Sequence, residues 1–161
     1  MTAQTPERLI FEGREHSMCS EPLGDFFGFG GKRPEFRAPH TACWRGYVGT
    51  WEIIDGRLYL TQLKGWLKSG GEATLETVFP GYRERVFAHW FTDTVRLPQG
   101  KQLKYVHMGY GSTYERDLLL RFSKGELIER SIRENGIGEP DAPEDYGIAA
   151  MTTLGNRSSE S

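Results

Sequence analysis

The densest run of chemically capable side chains is Tyr105-Val106-His107-Met108-Gly109-Tyr110-Gly111-Ser112-Thr113-Tyr114-Glu115. Tyrosine offers a large contact area with few rotatable bonds, and Gly109 and Gly111 let the backbone approach a partner closely. His107 adds a group that titrates near neutrality. This is the composition of a recognition loop; its alternative is a strand–loop–strand connection with tyrosines packed under a sheet. The expectation is that the loop from His107 to Tyr114 lies at the surface beside Arg45 or Tyr47. The candidate binding residues are then His107, Tyr110, Ser112, Tyr114, Tyr105, Arg45 and Tyr47. If a small ligand is bound instead, His107, Tyr105 and Tyr110 would line its pocket, with Arg45 or Arg96 holding an anion.

Other chemistries fail on spacing. Gly31-Lys32 would need a glycine at Phe26 and Ser or Thr at Arg33 to make a phosphate loop. Gly28-Phe29-Gly30 and Gly109-Tyr110-Gly111 each lack the third glycine of a dinucleotide turn, since Arg33 and Tyr114 stand there. Ser112 is flanked by Tyr110 and Tyr114 where a nucleophile elbow needs glycines. His16-x-x-Cys19 and His40-x-x-Cys43 could close a tetrahedral zinc site. Cys43, however, opens an apolar stretch where a small buried thiol is ordinary, so the expectation is no metal and no cofactor.

These residues need a frame, and the sequence supplies β-hairpins. Thr50–Ile54 and Arg57–Thr61 flank Asp55-Gly56, a pair suited to a type I′ turn. That register sets Ile53 opposite Leu58 and Trp51 opposite Leu60, all on one face. Arg116–Phe122 and Glu126–Arg130 form a second hairpin around Ser123-Lys124-Gly125. Arg8–Phe11 and Arg14–Met18 form a third around Glu12-Gly13. Val86–Trp90, Thr94–Leu97 (stopped by Pro98 and Gly100) and Lys104–Met108 read as further strands. Helix is confined to Pro22–Phe27, with Ser20 as N-cap, and Glu72–Val78. The fold class is α+β, mainly β: a single domain with a bent antiparallel sheet of hairpins and one or two short helices.

With 161 residues, 12% aromatics and 37% hydrophobics, one domain can bury its own core. A net charge of −2 argues against duplex DNA as the partner. No apolar run approaches the ~20 residues of a membrane helix. Met1–Glu7 is polar, without a basic or apolar signal region, and two cysteines make no disulfide framework. The expected location is cytoplasmic. Residues 81–133 carry ten basic groups against six acidic; residues 134–161 carry one against six, with several Gly, Pro and Ser. The domain is therefore expected to span 1–133. Residues 134–161 would be an acidic, mobile and dispensable tail, or an arm that docks on the basic stretch before it.

Thr41-Ala42-Cys43-Trp44-Arg45-Gly46-Tyr47, Trp51-Glu52-Ile53, Val86-Phe87-Ala88-His89-Trp90-Phe91 and Tyr105-Val106-His107-Met108-Gly109-Tyr110-Gly111-Ser112 together resemble a group of small bacterial proteins without an assigned activity. The likeness covers roughly residues 8 to 130. It implies a bacterial intracellular protein and transfers no catalytic residue. Size, the failed motifs and this resemblance lead to a non-catalytic module that recognises a protein partner, of which toxin-neutralising immunity proteins are one kind. The alternative is a small enzyme or ligand-binding protein using the His107, Tyr105 and Tyr110 pocket. Single-stranded nucleic acid is a third, weaker reading, from the basic excess of residues 81–133 and its aromatics.

Overall fold

The computed structural model describes residues 3–106 and 109–143. His107, Met108 and the chain beyond 143 lie outside the described residues. In chain order the elements are β1 (Glu7–Phe11), β2 (Arg14–Met18), α1 (Pro22–Gly28), β3 (Tyr47–Ile54), β4 (Arg57–Trp66), β5 (Glu72–Ala73), α2 (Leu75–Val78), β6 (Val86–Phe87), β7 (Asp93–Lys104), β8 (Thr113–Ser123) and β9 (Glu126–Glu134). They form one sheet in the order β2-β1-β3-β4-β9-β8-β7, with β5 and β6 paired to β4. The fold is thus α+β and mainly β, as the hairpin pattern implies. The sheet is mixed rather than wholly antiparallel, because β1 runs parallel to β3.

Three two-residue turns set the register. Glu12-Gly13, Asp55-Gly56 and Lys124-Gly125 each have positive φ at both positions, the type I′ signature. Trp51 pairs with Leu60 and Ile53 with Leu58, the register expected from Asp55-Gly56. Trp51, Leu58 and Leu60 are fully buried. The β8–β9 turn uses Lys124-Gly125 alone, with Ser123 still in β8. There a Cβ on Gly125 would meet the Ala88 carbonyl oxygen at 2.5 Å.

β7 corrects one expectation. It does not stop at Leu97 but continues through Pro98 and Gly100 to Lys104. β7 ends the sheet's path, and a terminal strand can spare the N–H that proline lacks. Gly100, at φ 85°, sits where the register against β8 shifts between Gln99 and Gln102. Of the strand candidate Lys104–Met108, Lys104 is the last residue of β7 and Tyr105 and Val106 lie in no strand; His107 and Met108 are outside the described residues. β6 covers only Val86–Phe87, because the chain turns at Ala88–Trp90.

The sheet is strongly bent. Its two end strands approach where Cys19 N, just past β2, donates to Arg96 O on β7 at 3.0 Å. α1 starts at Pro22 with Glu21, not Ser20, as N-cap, and no side chain caps it. Its Leu23 enters the core, while Phe26 packs on Phe79 and Trp90 at 4.7 and 4.9 Å between ring centroids. α2 is only one turn; Glu72–Ala73 before it pair with β4 as β5. Thr74 and Thr77 form its capping box. Among the described residues no helix is long and apolar enough to cross a membrane.

The boundary expected after Arg133 falls inside β9. Residues 135–143 then cross β7 and β8, held mainly through backbone. Asn135 N donates to Glu115 O, Gly138 N to Glu115 Oε2, Gln102 N to Pro143 O and Lys101 Nζ to Pro140 O. Part of the stretch expected as a tail or a docked arm is therefore hydrogen-bonded to β7 and β8. The remainder of that expectation lies outside the described residues.

Candidate loop-end site

The site is organised from below by Glu7. In β1 it alternates inward with Leu9 and Phe11, so its carboxylate enters the core and is fully buried. A buried carboxylate must be bonded on all sides. Glu7 Oε2 accepts from Arg45 Nη2 at 2.7 Å, Arg45 Nε at 3.2 Å and Gly49 N at 2.9 Å; Oε1 accepts from Trp51 Nε1 at 2.8 Å. The parallel pairing of β1 with β3 brings these donors within reach. Gly49 is required for space, since a Cβ there would stand 2.5 Å from Glu7 Oε1. Burial pushes the Glu7 carboxyl upward; the Arg45 charge and the N–H donors pull against it.

Arg45 links this buried pair to the loops. Its side chain is 8% exposed, and its Nη1 lies 3.7 Å from Glu21 Oε2. Its guanidinium stands 5.4 Å from the centroid of the buried Tyr47 ring. Tyr110 Oη donates to the same Glu21 oxygen at 2.5 Å. Burial pushes the Tyr110 and Tyr47 phenols far up, so both stay protonated. Arg45, Tyr47 and Tyr110, singled out from the sequence, therefore do meet, through Glu21.

The loop around Tyr110 is tied from both sides. Arg96 donates to the carbonyls of Tyr110 and Ser112 and to Asp117 Oδ1. Ser112 Oγ accepts from Val106 N at 2.9 Å and closes the loop on itself. Ser112 and Tyr114 are 3% and 1% exposed, which corrects the reading of them as surface contacts. Tyr114 alternates into the interior of β8, and its Oη accepts from Gln102 Nε2. Arg96 and most of Arg45 are committed to carboxylates and carbonyls, so neither is arranged as a free anion holder. Tyr105 remains at the surface; His107 lies outside the described residues.

Residues 3–5 connect this loop with the one before β3. Gln4 N donates to Gly109 O at 3.0 Å, and Gln4 Oε1 accepts from Trp44 N at 2.9 Å. Thr5 N donates to Ala42 O. Trp44 is thus fixed by its backbone while its side chain is half exposed. Arg33 Nη2 donates to Arg45 O and anchors a third loop, whose Phe29 is 75% exposed.

Glu7, Glu21, Gln4, Phe29 and Trp44 were not among the sequence candidates. Glu7 did carry a signal: an acid in phase with inward Leu9 and Phe11 demands a buried partner.

Nucleophilic chemistry finds little support among these groups. Burial pushes the Cys43 thiol up, and its Sγ donates to Tyr47 O at 3.5 Å. Among the described residues no three His, Cys, Asp or Glu side chains are grouped to hold a metal. What the arrangement does is stiffen three loops and leave Phe29, Trp44 and Tyr105 facing water. No protein-family model, curated protein or solved structure matches the chain.

Proposed function

We propose that this chain is a non-catalytic module that binds a protein partner through its loop end, with Phe29, Trp44 and Tyr105 as contact residues. The observation that carries this reading is Trp44. Its backbone is held through Gln4 to the Tyr110 loop, yet half of its surface faces water. An exposed indole on a rigid frame supplies apolar contact at little ordering cost, the usual property of an interface anchor. The stretch 32–37, which Arg33 ties to Arg45 O, carries exposed Lys32, Arg33 and Arg37 against one acid, Glu35. The charge suits an acidic partner surface. A toxin neutralised by an immunity protein is one such partner, and a bacterial cytoplasm is where this role would be served.

The test is recovery of a stoichiometric partner on tagged protein, its identification, and measurement of affinity with both components purified. Trp44→Ala should weaken that affinity by about 2 kcal/mol, as for an interface anchor, with circular dichroism unchanged. Equal affinity for the variant would refute the assignment.

One observation favours a second reading, a small-ligand site. Arg45 Nη1 is buried without a hydrogen-bond partner and faces Glu21, which is partly exposed. A ligand with adjoining acceptor and donor groups, such as an amide, would satisfy both. In that case Tyr110→Phe would abolish ligand binding or turnover and leave partner capture intact. The pocket drawn from His107, Tyr105 and Tyr110 belongs to this reading.

A further inference from the structure

β9 is half a sheet interior and half an edge. β8 pairs with it from Glu126 to Glu134. On its other side, among the described residues, β4 meets it only at Arg57↔Glu126, with Leu127 N donating to Gly56 O. From Ile128 to Glu134 no described strand covers that side. Proteins usually blunt such an edge, because its backbone groups can template another strand. Here it carries Ile128 and Ile132, 51% and 59% exposed.

The charges beside that edge alternate. On one face Arg96 of β7, Asp117 of β8 and Arg133 of β9 stand in a row, with contacts of 3.3 and 2.6 Å to Asp117. Four residues earlier on β9 and on the same face, Glu129 meets Arg121 of β8 at 2.9 Å. The row thus ends on a cation at Arg133 and on an anion at Glu129.

We infer that β9 pairs edge to edge with β9 of a second copy, antiparallel, about a two-fold axis through Ser131. Past the bulge at Ile128, Glu129 to Arg133 form a regular stretch centred on Ser131, in which the Arg130 side chain is held by Glu12 of the β1–β2 turn at 2.8 Å. The axis places Glu129 opposite Arg133 of the other copy, twice. The alternating row then runs unbroken from Asp117 and Arg133 to Glu129 and Arg121 of the second copy. On the opposite face the two Ile132 side chains fall on the diagonal across the axis, within reach of each other. Such an interface is isologous and closes on itself. It is also small, so association is concentration-dependent and weakened by salt. The edge residues 128–134 include none of the aromatic contact residues of the loop end, although Asp117 and Arg96 connect Arg133 to the Tyr110 loop.

The experiment combines sedimentation equilibrium with cross-linking of the full chain. The wild type should self-associate to dimers and no further. Glu129→Lys sets two cations opposite one another, and Ile132→Lys removes the apolar diagonal; each should weaken dimerisation by at least about tenfold without changing circular dichroism. Under mild oxidation Ser131→Cys should give a covalent dimer rapidly, whereas Glu126→Cys and the wild type, with its own Cys19 and Cys43, should not. A wild type that is monomeric at its highest soluble concentration would overturn the inference. So would a dimer indifferent to both lysine variants, or cross-linking at residue 126 as readily as at 131.

Discussion

Replacing Glu7 by glutamine would keep the side chain's shape and remove its charge from beside the Arg45 guanidinium. Two Arg45 N–H groups and Gly49 N donate to one carboxylate oxygen and Trp51 Nε1 to the other; an amide keeps a single acceptor oxygen and turns its NH2 toward the donors on the other side. Breaking one half of a buried ion pair costs about 3–5 kcal/mol. Glu7→Gln is expected to lower unfolding stability by that amount in denaturant titration. Gly49→Ala should have a comparable effect through a different cause, because its Cβ would press on Glu7 Oε1 and Trp51 Nε1. A loss below about 1 kcal/mol for both variants would mean that Glu7 does not organise the loop end.

Asp117 is the other buried acid with a defined titration. Burial alone would raise its carboxyl. Hydrogen bonds from Arg133 and Asn135 and the charge of Arg96 more than offset this, and hold it below its ordinary value of 3.8. A depressed acid stabilises the fold above its ordinary value, and that contribution disappears as pH falls through the depressed one. Acid unfolding should therefore steepen below about pH 4. Asp117→Asn should flatten that limb, even as it lowers stability at neutral pH. An identical acid limb in the variant would contradict the assignment.

At the scale of elements, the hairpins were legible because their turns have a mechanism. Asp55-Gly56 and Glu12-Gly13 need positive φ at two successive residues, and that requirement fixed both register and faces. Trp51→Ala accordingly should cost about 3–5 kcal/mol, measured by thermal or denaturant unfolding. β7 runs longer than its sequence implies, because Pro98 and Gly100 usually end strands. Their tolerance depends on β7 lying at the end of the sheet and on a register shift beside Gly100, neither of which is local to the sequence.

Composition likewise hid the role of 135–143, an acidic Gly- and Pro-containing stretch. It is held by backbone groups and by Asn135, whose Nδ2 donates to Tyr114 O and Asp117 Oδ2. Deleting everything after Glu134 should lower the melting temperature by roughly 5 °C or more, given about 2–4 °C per kcal/mol for a domain of this size. An unchanged melting temperature would show that these bonds add nothing.

On the scale of the whole molecule, the site was half legible. Arg45, Tyr47 and Tyr110 stood out by residue type, and they do converge. Ser112 and Tyr114 drew notice for the same reason but support the loop from inside. Alternation along β8 decides their burial, and composition alone does not reveal it. Glu7 and Glu21 passed unnoticed among 22 acidic residues, because what selects them is contact across the parallel β1–β3 pair and the start of α1. The resulting molecule has a bonded polar interior under its loops and three aromatic side chains above them.

The direct test of that account compares wild type with a Phe29→Ala, Trp44→Ala and Tyr105→Ala triple variant for stoichiometric partner recovery from the source cells, quantified by mass spectrometry. None of the three side chains belongs to the buried core, so the variant should keep the wild-type circular dichroism and a cooperative unfolding transition. The account predicts a partner that co-purifies with wild type and is lost from the variant. Equal recovery of that partner on both proteins would contradict it.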